Sequence, residues 1–342
     1  MKPKIFTLLG NNRTLNATGG DKINEIRFYT ALSEHFDVYY NGQFFNPNLL
    51  DFGLKDLPIS IPEDIYDLYY VRANNRILYH CPRPKIAMGM PYSDWLYHHV
   101  DAVITTTESW KKAILGYNSS SYYRELVGEW YGKLDKIVLP KKIINIRQTI
   151  DADFGKEVDR DTVMLNRISF GLKPTFGYFG SLHQRLLPTM ATNALNRISD
   201  EGDAVSIVVA GKKYADTKLP RNVRNLGYLP YGKIPGYIQS CHCLIANEGA
   251  ETEYLGSGKV LDAMAAKTPI LAYRSAVREE QLGADYLGFY SSEEEAYIIA
   301  KLIINNTFFR NQILKQLESR SEIFSIKSQG EYLYQEFLEL LK

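Results

Sequence analysis

The strongest constraint on this chain is an alternation that runs through it twice: a short apolar run, a turn with glycine or small polar residues, then a stretch with helical period. Residues 4–9 read as a buried strand, followed by an Asn-rich loop and Gly19-Gly20. Ile23, Ile26, Tyr29 and Leu32 then give a helix over 21–35 one apolar stripe. Residues 36–40, 67–71, 85–88, 100–105, 136–139 and 143–144 read as further strands, and Thr107 as the N-cap of a helix burying Trp110, Ala113 and Ile114. From 145 to 173 the chain is polar and without clean period, which places a domain boundary there. The series then restarts, with strands at 174–179, 204–211, 223–226, 243–246 and 269–272. Helices are expected at 186–199, 233–240 and 258–267, and a helical tail over 292–342 in three pieces broken near Asn305 and Ser325. Two strand–turn–helix series imply an α/β chain of two doubly wound, Rossmann-like domains, 1–150 and 151–325, facing an interdomain cleft.

Charge narrows the partners. A net charge of +1 over 342 residues lacks the basic excess of a duplex-binding protein, so no nucleic-acid partner is expected. Residues 109–150 hold 8 basic and 3 acidic residues, which allows a solvated face or contact with an anionic membrane surface or acceptor. No signal peptide is visible, and no stretch reaches the roughly 20 apolar residues of a membrane span. The three cysteines have no framework spacing and suit reduced thiols in a cytoplasmic protein. Cys241-His242-Cys243 leads into an apolar strand that would send alternate side chains to opposite faces, so no metal site is expected. Twenty-five tyrosines suggest either an aromatic cleft or compositional habit.

The densest chemistry lies between Glu248 and Pro269. A strand ends at Ala246, and a loop with Glu248, Glu251 and Glu253 follows. Gly256-Ser257-Gly258 then opens a helix whose first backbone N–H groups suit an anion. Lys259 is slightly unfavourable in a first turn unless a phosphate sits there, and Asp262 lies one turn on, placed to accept from ribose hydroxyls. A well-capped helix with a Lys–Asp surface pair is the alternative. The run from Lys259 to Leu271 resembles the signature of the two-domain GT-B glycosyltransferases, closest to family four. It departs from it with Asp262 for the usual Glu, Lys267 for the usual Ala-Gly step, and Tyr254 where the second carboxylate normally stands.

The resemblance extends over most of the chain. The strand and turn ending at Gly180-Ser181 resemble the start of the donor-binding domain, with Arg185 implied to grip the donor diphosphate and His183 behind it. The segment around Gly227-Tyr228 resembles the loop that meets the nucleotide base, and Thr18-Gly19-Gly20 the first domain's glycine loop. Residues 145–154, with Asp151, loosely resemble the interdomain segment, and a helix at about 326–342 is expected to return to the first domain. His80, His98, His99 and Asp94 are weaker acid–base candidates. The resemblance implies a nucleoside diphosphate sugar (UDP- or GDP-linked) as donor, no separate cofactor, a metal-independent and retaining transfer, and a saccharide or lipid-linked acceptor on the first domain, as in surface polysaccharide synthesis. In that scheme Glu248, Glu251 and Glu253 face the sugar, while Gly19, Gly20, Gly180, Ser181, Arg185, Tyr228, Ser257, Gly258, Lys259 and Asp262 bind substrate. A sugar-nucleotide 2-epimerase and an inactive binding homologue remain as alternatives.

Overall fold

A computed structural model of the chain describes residues 1–9, 15–16, 20–46, 51–52, 66–72, 81, 84–88, 100–131, 135–150, 154, 156, 158–248 and 256–342. They divide into two compact units, residues 1–149 with 324–342, and residues 150–323.

The first unit is built on β1 (Lys4–Leu9), β3 (Asp37–Tyr40), β4 (Gln43–Phe44), β6 (Leu68–Arg72), β7 (Lys85–Met88), β8 (Ala102–Thr105) and β9 (Ile143–Asn145), in the order β4-β3-β1-β6-β7-β8-β9. Every neighbouring pair is parallel except the hairpin β3–β4. β2 (Leu15–Asn16) and β5 (Asp51–Phe52) form a separate antiparallel ribbon. The core strands are apolar along their whole length because helices cover a parallel sheet on both faces. α1 (Gly20–Ser33) packs there, and Tyr29 meets Tyr40, Phe45 and Tyr70 at ring distances of 5.7–6.2 Å. Many of the tyrosines therefore fill this core, where tilted and edge-on ring contacts stabilise them. α2 (Glu108–Gly116) starts at the Thr107 cap, whose hydroxyl accepts from Trp110 N at 3.0 Å. α3 (Ser121–Tyr131) follows.

Residues 136–139 depart from expectation. They are apolar enough for a strand, but the Asn118 side chain captures both backbone groups of Ile137, at 2.8 and 2.7 Å, and no ladder forms. The polar stretch after 145 also holds a helix, α4 (Arg160–Ser169), begun by Asp159, whose carboxylate accepts from Asp161 N and Thr162 N at 3.2 Å.

The second unit carries β10 (Thr175–Phe179), β11 (Ser206–Ala210), β12 (Val223–Asn225), β13 (Cys243–Ile245), β14 (Ile270–Tyr273) and β15 (Phe289–Tyr290). Their order is β12-β11-β10-β13-β14-β15, all parallel. Counted within the unit this is 3-2-1-4-5-6, which puts the topological switch point between β10 and β13. Besides α4, its helices are α5 (Thr189–Asp200), α6 (Ile234–Ser240), α7 (Gly258–Ala265), α8 (Ala276–Leu282), α9 (Glu293–Asn305) and α10 (Thr307–Ser321).

The last helix, α11 (Ile326–Leu341), belongs to the first unit. Leu333 and Phe337 are fully buried, Phe337 lies 5.8 Å from Phe36, and Lys142 bridges Glu336 and Glu339 at 3.1 and 2.7 Å. A Cβ on Gly330 would stand 2.7 Å from the Ala31 carbonyl, so glycine is what lets α11 approach α1 this closely.

Candidate functional site

A parallel sheet offers a ligand the crevice beyond its strand carboxyl ends at the switch point, where neighbouring connections leave in opposite directions. In the second unit a small, mainly apolar pocket reaches this point from beside the sheet, lined by Ile238, Leu244 and Ile270 deeper in, by Phe179, Ile245 and Ala246 at the ends of β10 and β13, and by Lys259 and Asp262 on α7. The strand ends around it are closed by glycines. Gly180 follows β10 with φ +152° and Gly211 follows β11 with φ +149°. A Cβ on Gly211 would lie 1.7 Å from the Gly180 carbonyl oxygen, so the two backbones touch where side chains would separate them. Gly211 N donates to Gly227 O at 2.9 Å, which brings the third turn into the same row.

Lys259 lies across this row. It is half-buried, with Nζ 5.2 Å from the centroid of Tyr178, and a Cβ on Gly180 would meet its Cε at 2.1 Å. Asp262, also half-buried, stands one turn further along α7. The first turn of α7 is held unusually. Ser257 occupies the N-cap position, yet its hydroxyl makes no capping bond to the helix. The hydroxyl donates instead to Asn247 Oδ1 at 3.2 Å. Ser257 N donates to Gln281 Oε1, and Gln281 Nε2 donates back to Ser257 O, both at 3.2 Å. Arg278, with 1% of its surface exposed, donates to Asn247 Oδ1 at 3.0 Å and Gln281 Oε1 at 2.8 Å. A buried polar frame thus fixes Ser257 from three sides and keeps its oxygen off the helix terminus, where the backbone dipoles favour an anion.

Glu248, expected to face the sugar, has its carboxylate turned inward. α5 has Pro188 at its N-cap, which offers no side-chain acceptor. The Glu248 carboxylate fills that role, accepting from Met190 N at 3.0 Å and Ala191 N at 3.2 Å, and from the Tyr290 hydroxyl at 2.5 Å. Burial raises its pKa, against the pull of those hydrogen bonds. Glu251, Glu253, Gly19, Asp94, Asp151, His80, His98 and His99 lie outside the described residues; Gly20 opens α1. Arg185 sits in a short 3-10 turn, Gln184–Leu186, and its side chain is outside the described set. Ser181 is exposed at the turn after Gly180, with its carbonyl accepting from the Tyr178 hydroxyl at 3.2 Å. His183 meets Tyr214 edge-on at 5.2 Å. Tyr228 is 58% exposed next to Gly227, a platform on which a planar ring can stack.

His242 is tied to the start of β10. Its Nδ1 accepts from Thr175 N at 3.1 Å between the buried Cys241 and Cys243, and burial lowers its pKa. Among the described residues no cluster of three His, Cys, Asp or Glu side chains is arranged to hold a metal ion, and no helix is long and apolar enough to cross a membrane.

The sequence reading passed over Asn247, Arg278, Gln281 and Gly211. Gly211 was legible, since it ends an apolar strand as Gly180 does. The other three join only through the fold, being up to 34 residues apart in sequence between Asn247 and Gln281.

No protein-family model matches the chain, and no curated protein sequence matches it. Solved structures do. Anabaena HepE in complex with UDP and glucose superimposes with a TM-score of 0.64 at 14% identity, covering 99% of this chain and 100% of that one. The same protein in complex with UDP-glucose gives 0.62 at 15%, covering 98% and 99%. Sucrose-phosphate synthase from Thermosynechococcus elongatus gives 0.67 at 11% identity, again covering 98% and 99%. At these identities the likeness concerns the backbone, and it settles the fold: the chain is an α/β protein of the GT-B type, with two Rossmann-like parallel-sheet units.

Proposed function

We propose that this chain is a glycosyltransferase that takes a sugar from a nucleoside diphosphate sugar and passes it to a saccharide or lipid-linked acceptor. The observation that carries the reading is the first turn of α7 at the switch point of the second sheet, with its cap serine turned away, Lys259 laid over Gly180 and Asp262 beside it. The UDP and UDP-glucose complexes of a protein with the same fold support it. In this reading the helix terminus and Lys259, with Arg185, face the diphosphate, and Asp262 takes the ribose. Gly180 and Ser181 line the approach, and Tyr228 stacks on the base. Negative charge grows on the leaving diphosphate as the glycosidic bond breaks, so cations and helix dipoles aimed there stabilise the transition state more than the ground state. Glu251 and Glu253 face the sugar, Gly19 and Gly20 belong to the acceptor side, and transfer retains configuration without a metal. The chain works in the cytoplasm, at the membrane where its acceptor is lipid-linked, in glycan synthesis.

The test pairs UDP with uridine in calorimetric titrations. Lys259→Ala is expected to weaken UDP about tenfold, roughly 1.4 kcal/mol, and to leave uridine nearly unchanged. Asp262→Ala is expected to weaken both alike. Wild type that binds no nucleoside diphosphate from a UDP, GDP and ADP panel would end the reading. The inward Glu248 favours a second one, a binding protein without turnover; it would be supported by tight UDP binding with neither transfer nor donor hydrolysis.

A further inference from the structure

α4 has a side that the fold does not use. None of its residues is buried, and among the described residues it meets the body of the second unit through one flank. On that flank Thr162 and Asn166 approach Gly236, and Arg167 donates to the Gln239 carbonyl at 3.4 Å. On the outward flank Met164, Leu165 and Ile168 are 52%, 65% and 53% exposed, at a spacing that sets them side by side on one helix face. Leu172 follows just past the helix end and is 67% exposed.

Leu172 also stands in the left-handed region, at φ +54°, directly after Gly171 at φ +85°. The two close the helix, with Gly171 N donating to Ile168 O at 2.9 Å and Leu172 N to Arg167 O at 3.0 Å. Glycine or asparagine suits such a position; a branched apolar residue is strained there. The chain thus spends strain on a side chain that stays in water. Around this end gather Arg167, Lys173 and Arg224, all exposed, with Arg224 donating to the Ser169 carbonyl. The acidic Asp159 and Asp161 lie at the opposite end of the helix, where Asp159 serves as the cap.

We propose that the C-terminal half of α4 and Leu172 form a membrane-docking edge, with Leu165, Ile168 and Leu172 entering the interface of an anionic bilayer and Lys173 and Arg224 on its headgroups. The size of the patch favours lipid over a second copy of the chain: a stable dimer needs about 800 Å² per partner, more than one ten-residue helix presents, whereas shallow insertion needs only a few apolar side chains backed by cations. This edge lies outside the basic segment 109–150 and is independent of what the α7 site binds.

The experiment is co-sedimentation of the full chain with vesicles of phosphatidylcholine alone or mixed in equal parts with phosphatidylglycerol, at low and high salt. Wild type is expected to sediment with the mixed vesicles, less with phosphatidylcholine, and less at high salt. Leu165→Ser with Ile168→Ser is expected to cut vesicle binding about tenfold and leave thermal stability unchanged. Leu172→Gly is expected to cut vesicle binding while raising the melting temperature, because it relieves the left-handed strain. A surface of purely structural use would not move the two readouts in opposite directions. Wild type that stays in the supernatant with mixed vesicles overturns the proposal. So do variants that bind as well as wild type, and so does a concentration-dependent dimer in gel filtration that the same substitutions abolish.

Discussion

Ser257 Oγ donates to Asn247 Oδ1 at 3.2 Å, and so the residue at the N-cap of α7 does not cap it. A serine in that position usually gives its oxygen to the amides of the first turn. Here the acceptor that draws it away is itself held by the buried Arg278, whose two terminal nitrogens reach Asn247 and Gln281, one on each side of Ser257. The guanidinium fork suits this because it presents two donors in fixed geometry to two separate amide oxygens. Arg278→Met keeps the bulk and removes both donors, leaving two buried oxygens short of a charged partner. Denaturant titration is expected to show a loss of about 2–3 kcal/mol. UDP affinity is expected to fall with it, since Ser257 and the helix start lose their register. Arg278→Lys should recover little of either, because one ammonium cannot reproduce the fork.

The two glycines at the strand ends are expected to fail differently on substitution. Gly180→Ala brings a methyl against the flexible end of Lys259, at 2.1 Å from Cε, in a backbone conformation of φ +152° that disfavours alanine. Lys259 can swing aside, so the fold survives at a cost of about 1–3 kcal/mol, and the site loses its cation. Gly211→Ala drives its methyl to 1.7 Å from a backbone oxygen that cannot move without shifting β10. Melting curves should therefore rank Gly211→Ala well below Gly180→Ala, while UDP titration of the surviving Gly180→Ala protein shows weakened binding. A Gly211→Ala variant of wild-type stability would mean that the strand ends are not in contact.

Lys267 is one departure from the pattern that the sequence resembles. It stands at φ +52° just after α7, and Lys267 N and Thr268 N return to Met264 O and Ala263 O at 3.1 and 3.0 Å. That closure prefers glycine, the residue the pattern usually carries there. The lysine side chain gains little in exchange: it is 79% exposed and reaches Glu318 only at 3.9 Å. Lys267→Gly is expected to stabilise the protein by about 0.5–1 kcal/mol, read as a rise of about 1–4 °C in Tm.

What could be read from sequence follows from what is local. The parallel strands other than β15 were legible because a strand covered on both faces is apolar throughout, and the breaks of the helical tail because Ser292, Asn306 and Ser325 cap α9, α10 and α11 from the position just before each. The start of α7 with Lys259 and Asp262 was legible because a helix terminus, a cation and a carboxylate fall within a few residues. Residues 136–139 misled because their competitor, Asn118, lies 19 residues upstream of Ile137. α4 was missed because it is short and its stripe of Met164, Leu165 and Ile168 is interrupted by polar and charged residues such as Asn166 and Arg167. The cap that Glu248 supplies to α5 was the least legible feature. Nothing next to it in sequence announces that Pro188, 60 residues earlier, leaves a helix uncapped.

That cap carries a pH signature. Burial lifts the Glu248 carboxyl above its ordinary value of 4.5, and the bonds from Tyr290, Met190 and Ala191 oppose this without cancelling it. An acid whose pKa rises on folding binds its proton more tightly in the native state. Its contribution is therefore full below the unfolded value and is lost as pH climbs through the folded one. Glutamine mimics the protonated carboxyl in shape and in having one carbonyl acceptor. Glu248→Gln is expected to match wild type below pH 4.5 and to become the more stable of the two as pH rises past the folded value. Denaturant titrations of both proteins between about pH 4 and 7 check this through their difference. In that difference Glu201 and Glu339, whose pKa values are lowered by exposed partners, cancel. If the glutamine protein is instead the weaker at neutral pH, and recovers on acidification, the hydrogen bonds to α5 and Tyr290 outweigh the cost of burying the charge, and the carboxylate is the form the fold was built to hold.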